Sequence, residues 1–151
     1  MGMFLALKGT DKSISPLHWK AKVIDKVAQD IKSAETLALE NAVDDAIHLA
    51  DMIAEVYTGE SKPNIQIPLV INKDSKSLIE SLYSTKKVKR KTMRVVISSL
   101  QQLMKSGRIQ SIHHVKSNDQ LADVFTKKGV CSDLILDTVS SGTMNIDRTS
   151  F

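Results

Sequence analysis

Between Ser33 and Gly59 the apolar residues Ala38, Leu39, Ala42, Ala46, Leu49, Ile53 and Tyr57 recur three or four positions apart, and Glu35 falls on the same stripe. That spacing puts one side of a 3.6-residue spiral in apolar contact and predicts a single long amphipathic helix. Ser33 is the expected N-cap, and Gly59 ends the helix in a backbone conformation that glycine adopts without a Cβ penalty. A helix with one apolar stripe must lay it against a second apolar surface. The chain offers one just beyond Pro63, where Ile65-Gln66-Ile67-Pro68-Leu69-Val70-Ile71 is β-branched and consecutively apolar at its end. A strand of that kind suits burial on both faces, as in a parallel or mixed sheet.

The other segments extend this α/β pattern. Met3–Lys8 and Pro16–Lys20, separated by a turn-rich stretch, read as a hairpin. Ser75–Tyr83 is a short helix, and Met93, Val96, Ile97, Leu100, Leu103 and Met104 form the stripe of a second long helix that stops at Gly107. Arg108–Lys116, with Ile109, Ile112 and Val115 three apart, suits a helix or a bulged strand; its place between two capped helices favours the strand. Ser117-Asn118-Asp119-Gln120 is a capping box that opens a helix running through Leu121, Val124 and Phe125 to Gly129, and Ser132–Val139 adds one more helix. The expected order is ββαβααβα(α), a mixed sheet with helices on its faces, over one domain at 1–141 and a flexible polar tail at 142–151.

Composition agrees with a single globular unit. The 151 residues suffice for one core, and 42% hydrophobic with 25% charged residues exclude global disorder. The apolar runs Met3–Leu7 and Ile67–Ile71 fall far short of the roughly 20 residues of a spanning helix, so no membrane partner is expected. The single cysteine, Cys131, forms no internal disulfide and has no evident role; an intracellular compartment, cytoplasmic or nuclear, is the simplest expectation. No phosphate-binding glycine loop or serine-nucleophile motif occurs.

Three acids stand out by position. Glu35 lies on the apolar stripe near the start of the first long helix, where an unpaired carboxylate is costly and calls for a metal, a cationic partner or local exposure. Asp74 follows the central strand by a few residues, at the carboxyl end where open α/β sheets carry their sites. Asp123 enters from the first turns of a later helix. Carboxylates delivered from three elements onto one sheet edge are suitable oxygen ligands for hard divalent cations. Taken singly each has an ordinary explanation: Glu35 compensates a helix dipole, Asp74-Ser75 caps the next helix, and Asp123 is solvated.

Neighbouring motifs join them. Trp19-Lys20-Ala21-Lys22, Val27-Ala28 and Ser33-Ala34-Glu35-Thr36-Leu37-Ala38-Leu39 are followed by Asp74-Ser75-Lys76-Ser77-Leu78, by the basic stretch from Ser84 to Arg94, and by Gly107-x-Ile109. The most specific element is Val115-x-x-x-Asp119-Gln120-Leu121-Ala122-Asp123-Val124-x-Thr126-Lys127. In this order the motifs resemble the ribonuclease H domain of copia-type (Ty1/copia) retrotransposon Pol polyproteins, over roughly residues 3–130. The resemblance implies a ribonuclease H-like fold and an endonuclease that cuts the RNA strand of an RNA–DNA hybrid beside a reverse transcriptase domain. In that chemistry carboxylates hold two Mg²⁺ ions about 3.5–4 Å apart. Glu35, Asp74 and Asp123 match three of the four acids. The fourth lies in the family on a first, central strand upstream of the segment that Met1–Lys8 resembles, so the domain is expected to be N-terminally truncated. Asp11 is the nearest substitute, and it lies in a turn. The chain alone is therefore expected to be inactive or nearly so and marginally stable, with an unpaired sheet edge that invites strand exchange between copies.

The excess of basic over acidic residues, 21 − 17 = +4, is modest, but Lys86, Lys87, Lys89, Arg90, Lys91 and Arg94 concentrate six cations within nine positions. Such a run would track phosphates of a hybrid without sequence specificity; a solvated loop and helix start is the ordinary alternative. Aromatic residues at 4% provide few stacking platforms for single strands. His113 and His114 should point to opposite strand faces, while His18 and His48 are packed or surface residues. Three readings follow: the hybrid-cutting domain, a non-catalytic nucleic-acid or protein interaction module on the same fold, and a gene fragment without stable function.

Overall fold

The computed structural model describes residues 1–23, 28, 30–85, 90–129 and 131–144, and the backbone of 148–150. Its elements are β1 (Gly2–Lys8), β2 (Ile14–Ala21), α1 (Ile31–Thr58), β3 (Leu69–Lys73), α2 (Lys76–Tyr83), α3 (Lys91–Lys105), β4 (Ile109–Val115), α4 (Asp133–Ser141) and β5 (Arg148–Ser150). Two 3₁₀ turns, Ser117–Asp119 and Leu121–Phe125, stand between β4 and α4. The protein is mixed α/β, but its strands form two small sheets: the antiparallel pair β1–β2, and β3–β4–β5 with β3 parallel and β5 antiparallel to β4. The one expected mixed sheet is thus divided, and no ladder joins β1 to β3 among the described residues.

Helix α1 starts three residues earlier than its cap was expected. Asp30 takes the N-cap with extended backbone, and its carboxylate accepts from the Ser33 backbone N–H at 2.7 Å. Ser33 is instead buried in the first turn, where its Oγ accepts from Arg90 Nη1 at 3.1 Å. At the other end Gly59, at φ 72°, closes the helix as expected, its N–H donating to the Glu55 carbonyl. The core-facing stripe runs through Thr36, Leu39, Val43, Ile47, Ala50 and Ala54, one position on from the expected one. Tyr57 is consequently exposed, and Glu35 sits half-buried beside the stripe.

The main core lies between α1, α2, α3 and the β3–β4 pair. Leu37, Leu39 and Val43 meet Leu78, Ile79 and Leu82 of α2, Met93, Val96, Ile97 and Leu100 of α3, and Ile109 and Ile112 of β4. The three-residue spacing of Ile109 and Ile112 has a simple cause: the β3–β4 register slips between Leu69 and Val70, so Leu69 pairs with Ile109 but Val70 with Ser111. The extra residue, Gln110, restores the phase and puts both isoleucines on the core side with Leu69 and Ile71. Arg108, buried just before β4, ties the strand to α1 by donating to the Ile47 carbonyl at 3.2 Å and to the Asp51 carboxylate.

The expected helix after β4 is replaced by the two 3₁₀ turns, in which Asp119 and Gln120 donate back to Lys116 and Ser117. The capping-box sequence is used here for tight turns because Gln120 adopts extended backbone between them. β1 runs close to the second turn: a Cβ at Gly2 would collide with the Ala122 carbonyl oxygen. Beyond α4, Arg148–Ser150 pairs with His113–Val115, Ile14 N–H donates to the Gly142 carbonyl and Met144 N–H to that of Lys12.

Candidate carboxylate site at the end of the parallel strands

Each acid reaches the site by a different route. Asp74 is delivered by β3, which ends at Lys73 before Ser75 starts α2. Its carboxylate does not cap α2; it accepts from Lys73 Nζ at 2.5 Å, with both side chains 18% exposed. Its backbone carbonyl accepts from His114 Nε2 at 3.2 Å, since Lys73 and His114 are register partners across β3 and β4. Asp123 comes from the second 3₁₀ turn and accepts from Lys127 Nζ at 2.5 Å, the lysine lying four residues on. Glu35 enters from the second turn of α1.

Electrostatics tie the three together. Burial pushes the Asp74 carboxyl up, but the hydrogen bond and charge of Lys73, its own backbone N–H and the more distant Lys127 ammonium outweigh this and hold it below the ordinary carboxylate range. Lys127 is held above the ordinary lysine range, first by its hydrogen bond to Asp123 against a desolvation penalty, then by the charges of Asp123, Asp74 and Glu35. All three acids therefore act on one ammonium group. The linkage follows by sign. The depressed Asp74 stabilises the fold above its unfolded value and loses that contribution as pH falls through the folded one; Lys127 contributes below its unfolded value and loses it as pH rises through the raised one. Replacing Lys73 with Met should remove the largest opposing influence and let burial dominate. The Asp74 carboxyl would then titrate at higher pH, which ¹³C-carboxyl NMR would read directly; an unchanged titration would show that Lys73 is not its stabiliser.

As a donor set the three carboxylates are the hard oxygen ligands that Mg²⁺ prefers. Their arrangement is another matter. Among the described residues no three His, Cys, Asp or Glu side chains gather as a metal-holding group, and ammonium groups stand at two of the three acids. The donors fit a divalent ion in kind and not as placed. Asp11 does not complete the set: it accepts from the Ser13 N–H and Oγ within the hairpin turn, which lies about 20 Å along β1 from the Gly2 end beside Ala122.

Of the basic run, Lys86, Lys87 and Lys89 lie outside the described residues. Arg90 is engaged structurally, pairing with Asp30 at 2.6 Å and with Ser33, so it braces the start of α1. Lys91 and Arg94 fall in the first turn of α3, with Lys91 exposed. His113 and His114 do go to different partners, Ser111 Oγ at 3.0 Å and the Asp74 carbonyl. Cys131 is exposed, and among the described residues no helix is long and apolar enough to cross a membrane. The residues that sequence reasoning missed are Lys73, Lys127 and His114. Lys127 carried a readable signal, its i,i+4 spacing from Asp123; His114 carried none, because its reach to Asp74 depends on the strand register. Comparison with protein-family models, curated proteins and solved structures finds no match to this chain.

Proposed function

We propose that the chain is a retroelement-derived ribonuclease H-like domain whose parent activity is metal-dependent cleavage of the RNA strand in RNA–DNA hybrids, and that this chain does not cut on its own. The observation that carries the reading is the placement of the acids, Glu35 in the second turn of α1, Asp74 just past the end of β3 and Asp123 in a 3₁₀ turn, with Asp74 and Asp123 each holding an ammonium partner. The element order supports it: an antiparallel hairpin, a long helix, then a parallel strand pair joined through two helices, with an acid at the strand end. The partners on this reading are an RNA–DNA hybrid and the reverse transcriptase domain of the parent polyprotein. The two Mg²⁺ ions belong to the parent chemistry; here three of four acids are present and two are neutralised by lysine. Hybrid contacts would come from phosphate-tracking cations of the 86–94 segment, giving affinity that falls with salt. Among the described residues no further strand pairs with the outer edges of β1 and β3, and these are the surfaces through which copies would associate.

A second reading, a non-catalytic interaction module on the same fold, is favoured by the ion pairs themselves, since Lys73 and Lys127 already occupy two of the carboxylates that a metal would need. The two are separated by incubating the purified chain with a labelled hybrid and Mg²⁺, scoring cleavage and binding together with an Asp74→Asn variant.

A further inference from the structure

Helix α1 is long and almost entirely of one charge sign. Its 28 residues carry six acids against the single lysine Lys32, a net of −5 in a chain of net +4, so the other residues together carry +9. The acids extend through Glu55 into the last turn, where the helix dipole is already negative and no basic residue compensates it. Next to Glu55, the end of α1 presents Met52, Val56 and Tyr57 to solvent, with Val56 85% and Tyr57 83% exposed. Met52 and Val56 are one turn apart on the same side, and the half-buried Ile53 lies between Val56 and Tyr57 on the surface, so these residues form one apolar strip.

The start of α3 is its counterpart. Val95 is 67% exposed, one turn on from the exposed Lys91 and next to the exposed Arg94, and the basic run from Lys86 leads into it in sequence. We infer that the apolar strip at the end of α1 is the docking surface for the basic start of α3 in a second copy of this chain. Phosphate-bearing partners are repelled by an end of this sign, whereas a helix start with cations around an exposed valine matches it in charge and in apolar character. Within one copy the two faces do not meet. Arg90 pairs with Asp30 at 2.6 Å, which holds the start of α3 beside the start of α1, and Val56 lies about 39 Å further along that helix. The match is therefore usable only between copies, in a contact distinct from pairing of sheet edges and independent of how the strand-end acids are read. Each copy offers one face of each kind, so the contact is heterologous and repeats as a ring or a chain.

The test follows the weight-average mass of the full chain by sedimentation equilibrium as protein concentration rises, at low and at high salt. Mass should rise with concentration at low salt and fall back towards the monomer at high salt, because surface charges are screened. Val56→Ser combined with Tyr57→Ser should weaken association about tenfold. Both side chains are exposed, so circular dichroism should show the fold unchanged. Glu55→Lys and Lys91→Glu should each weaken self-association, and mixing the two variants should recover it, since the reversed charges again oppose each other. A chain that stays monomeric at every concentration overturns the inference. Association that neither salt nor the α1 substitutions weaken also overturns it, and assigns the contact to the sheet edges.

Discussion

Leu78→Ala is expected to destabilise the protein by about 2–5 kcal/mol, the largest loss foreseen for any single substitution here. Leu78 is fully buried on α2, where it and Ile79 meet α1, α3 and β4 in the main core. Truncation removes the transfer free energy of three carbons and leaves a cavity whose walls are other packed elements, so collapse is limited. A small domain is stable by only about 5–15 kcal/mol, and a chain of this length shifts its melting temperature by about 2–4 °C for each kcal/mol. Thermal or urea unfolding followed by circular dichroism reads the effect. Leu136→Ala on α4 serves as the contrast: its side chain is 57% exposed, so little should change. Equal losses at the two positions would contradict the placement of α2 in the core.

Asp51→Ala should cost about 2–3 kcal/mol although Asp51 itself is largely exposed, because the penalty falls on its partner. Arg108 has only 9% of its side chain exposed, and its guanidinium is held by the Asp51 carboxylate and the Ile47 carbonyl. Without Asp51 that buried charge keeps one neutral acceptor, and an incompletely paired buried cation is more costly than its absence. Adding Arg108→Met to Asp51→Ala should therefore restore much of the lost stability, since the methionine fills the space of the stem without a charge. A double variant less stable than Asp51→Ala alone would contradict this account of how β4 is fastened to α1.

The periodic elements were legible because burial imposes its own spacing on a chain. α3 shows this most clearly: Met93, Val96, Ile97 and Leu100 are the buried residues, as their spacing requires. In α1 alanines fill two adjacent stripes, so periodicity alone could not tell a stripe through Ala38 and Ala42 from one through Leu39 and Val43. The contrast at Ser117–Gln120 is one of context, since a capping box states which backbone groups can be satisfied and not whether an α-helix continues; here the chain turns twice in 3₁₀ geometry. The separation into two sheets and the pairing of β5 with β4 depend on contacts between distant segments, and a polar tripeptide such as Arg148-Thr149-Ser150 carries no strand pattern of its own. At the site, the positions of Asp74 and Asp123 at element ends could be read from the chain, and so could the i,i+4 spacing of Lys127 from Asp123, but not the pairing of Asp74 with Lys73. Lys73 and Asp74 are neighbours on a strand end, where side chains ordinarily diverge, and only the end of β3 lets them meet.

The central claim is that this chain carries a ribonuclease H-like acid set that does not cut by itself. Its most direct test is an end-labelled RNA–DNA hybrid incubated with the purified, cooperatively folded chain and Mg²⁺, beside Asp74→Asn. The account predicts that the hybrid is bound, with affinity falling as salt rises, and that the RNA strand stays intact with either protein. Cleavage by the unsubstituted chain that disappears with Asp74→Asn would contradict the claim, and would mean that Glu35, Asp74 and Asp123 suffice for the chemistry despite the lysines beside them.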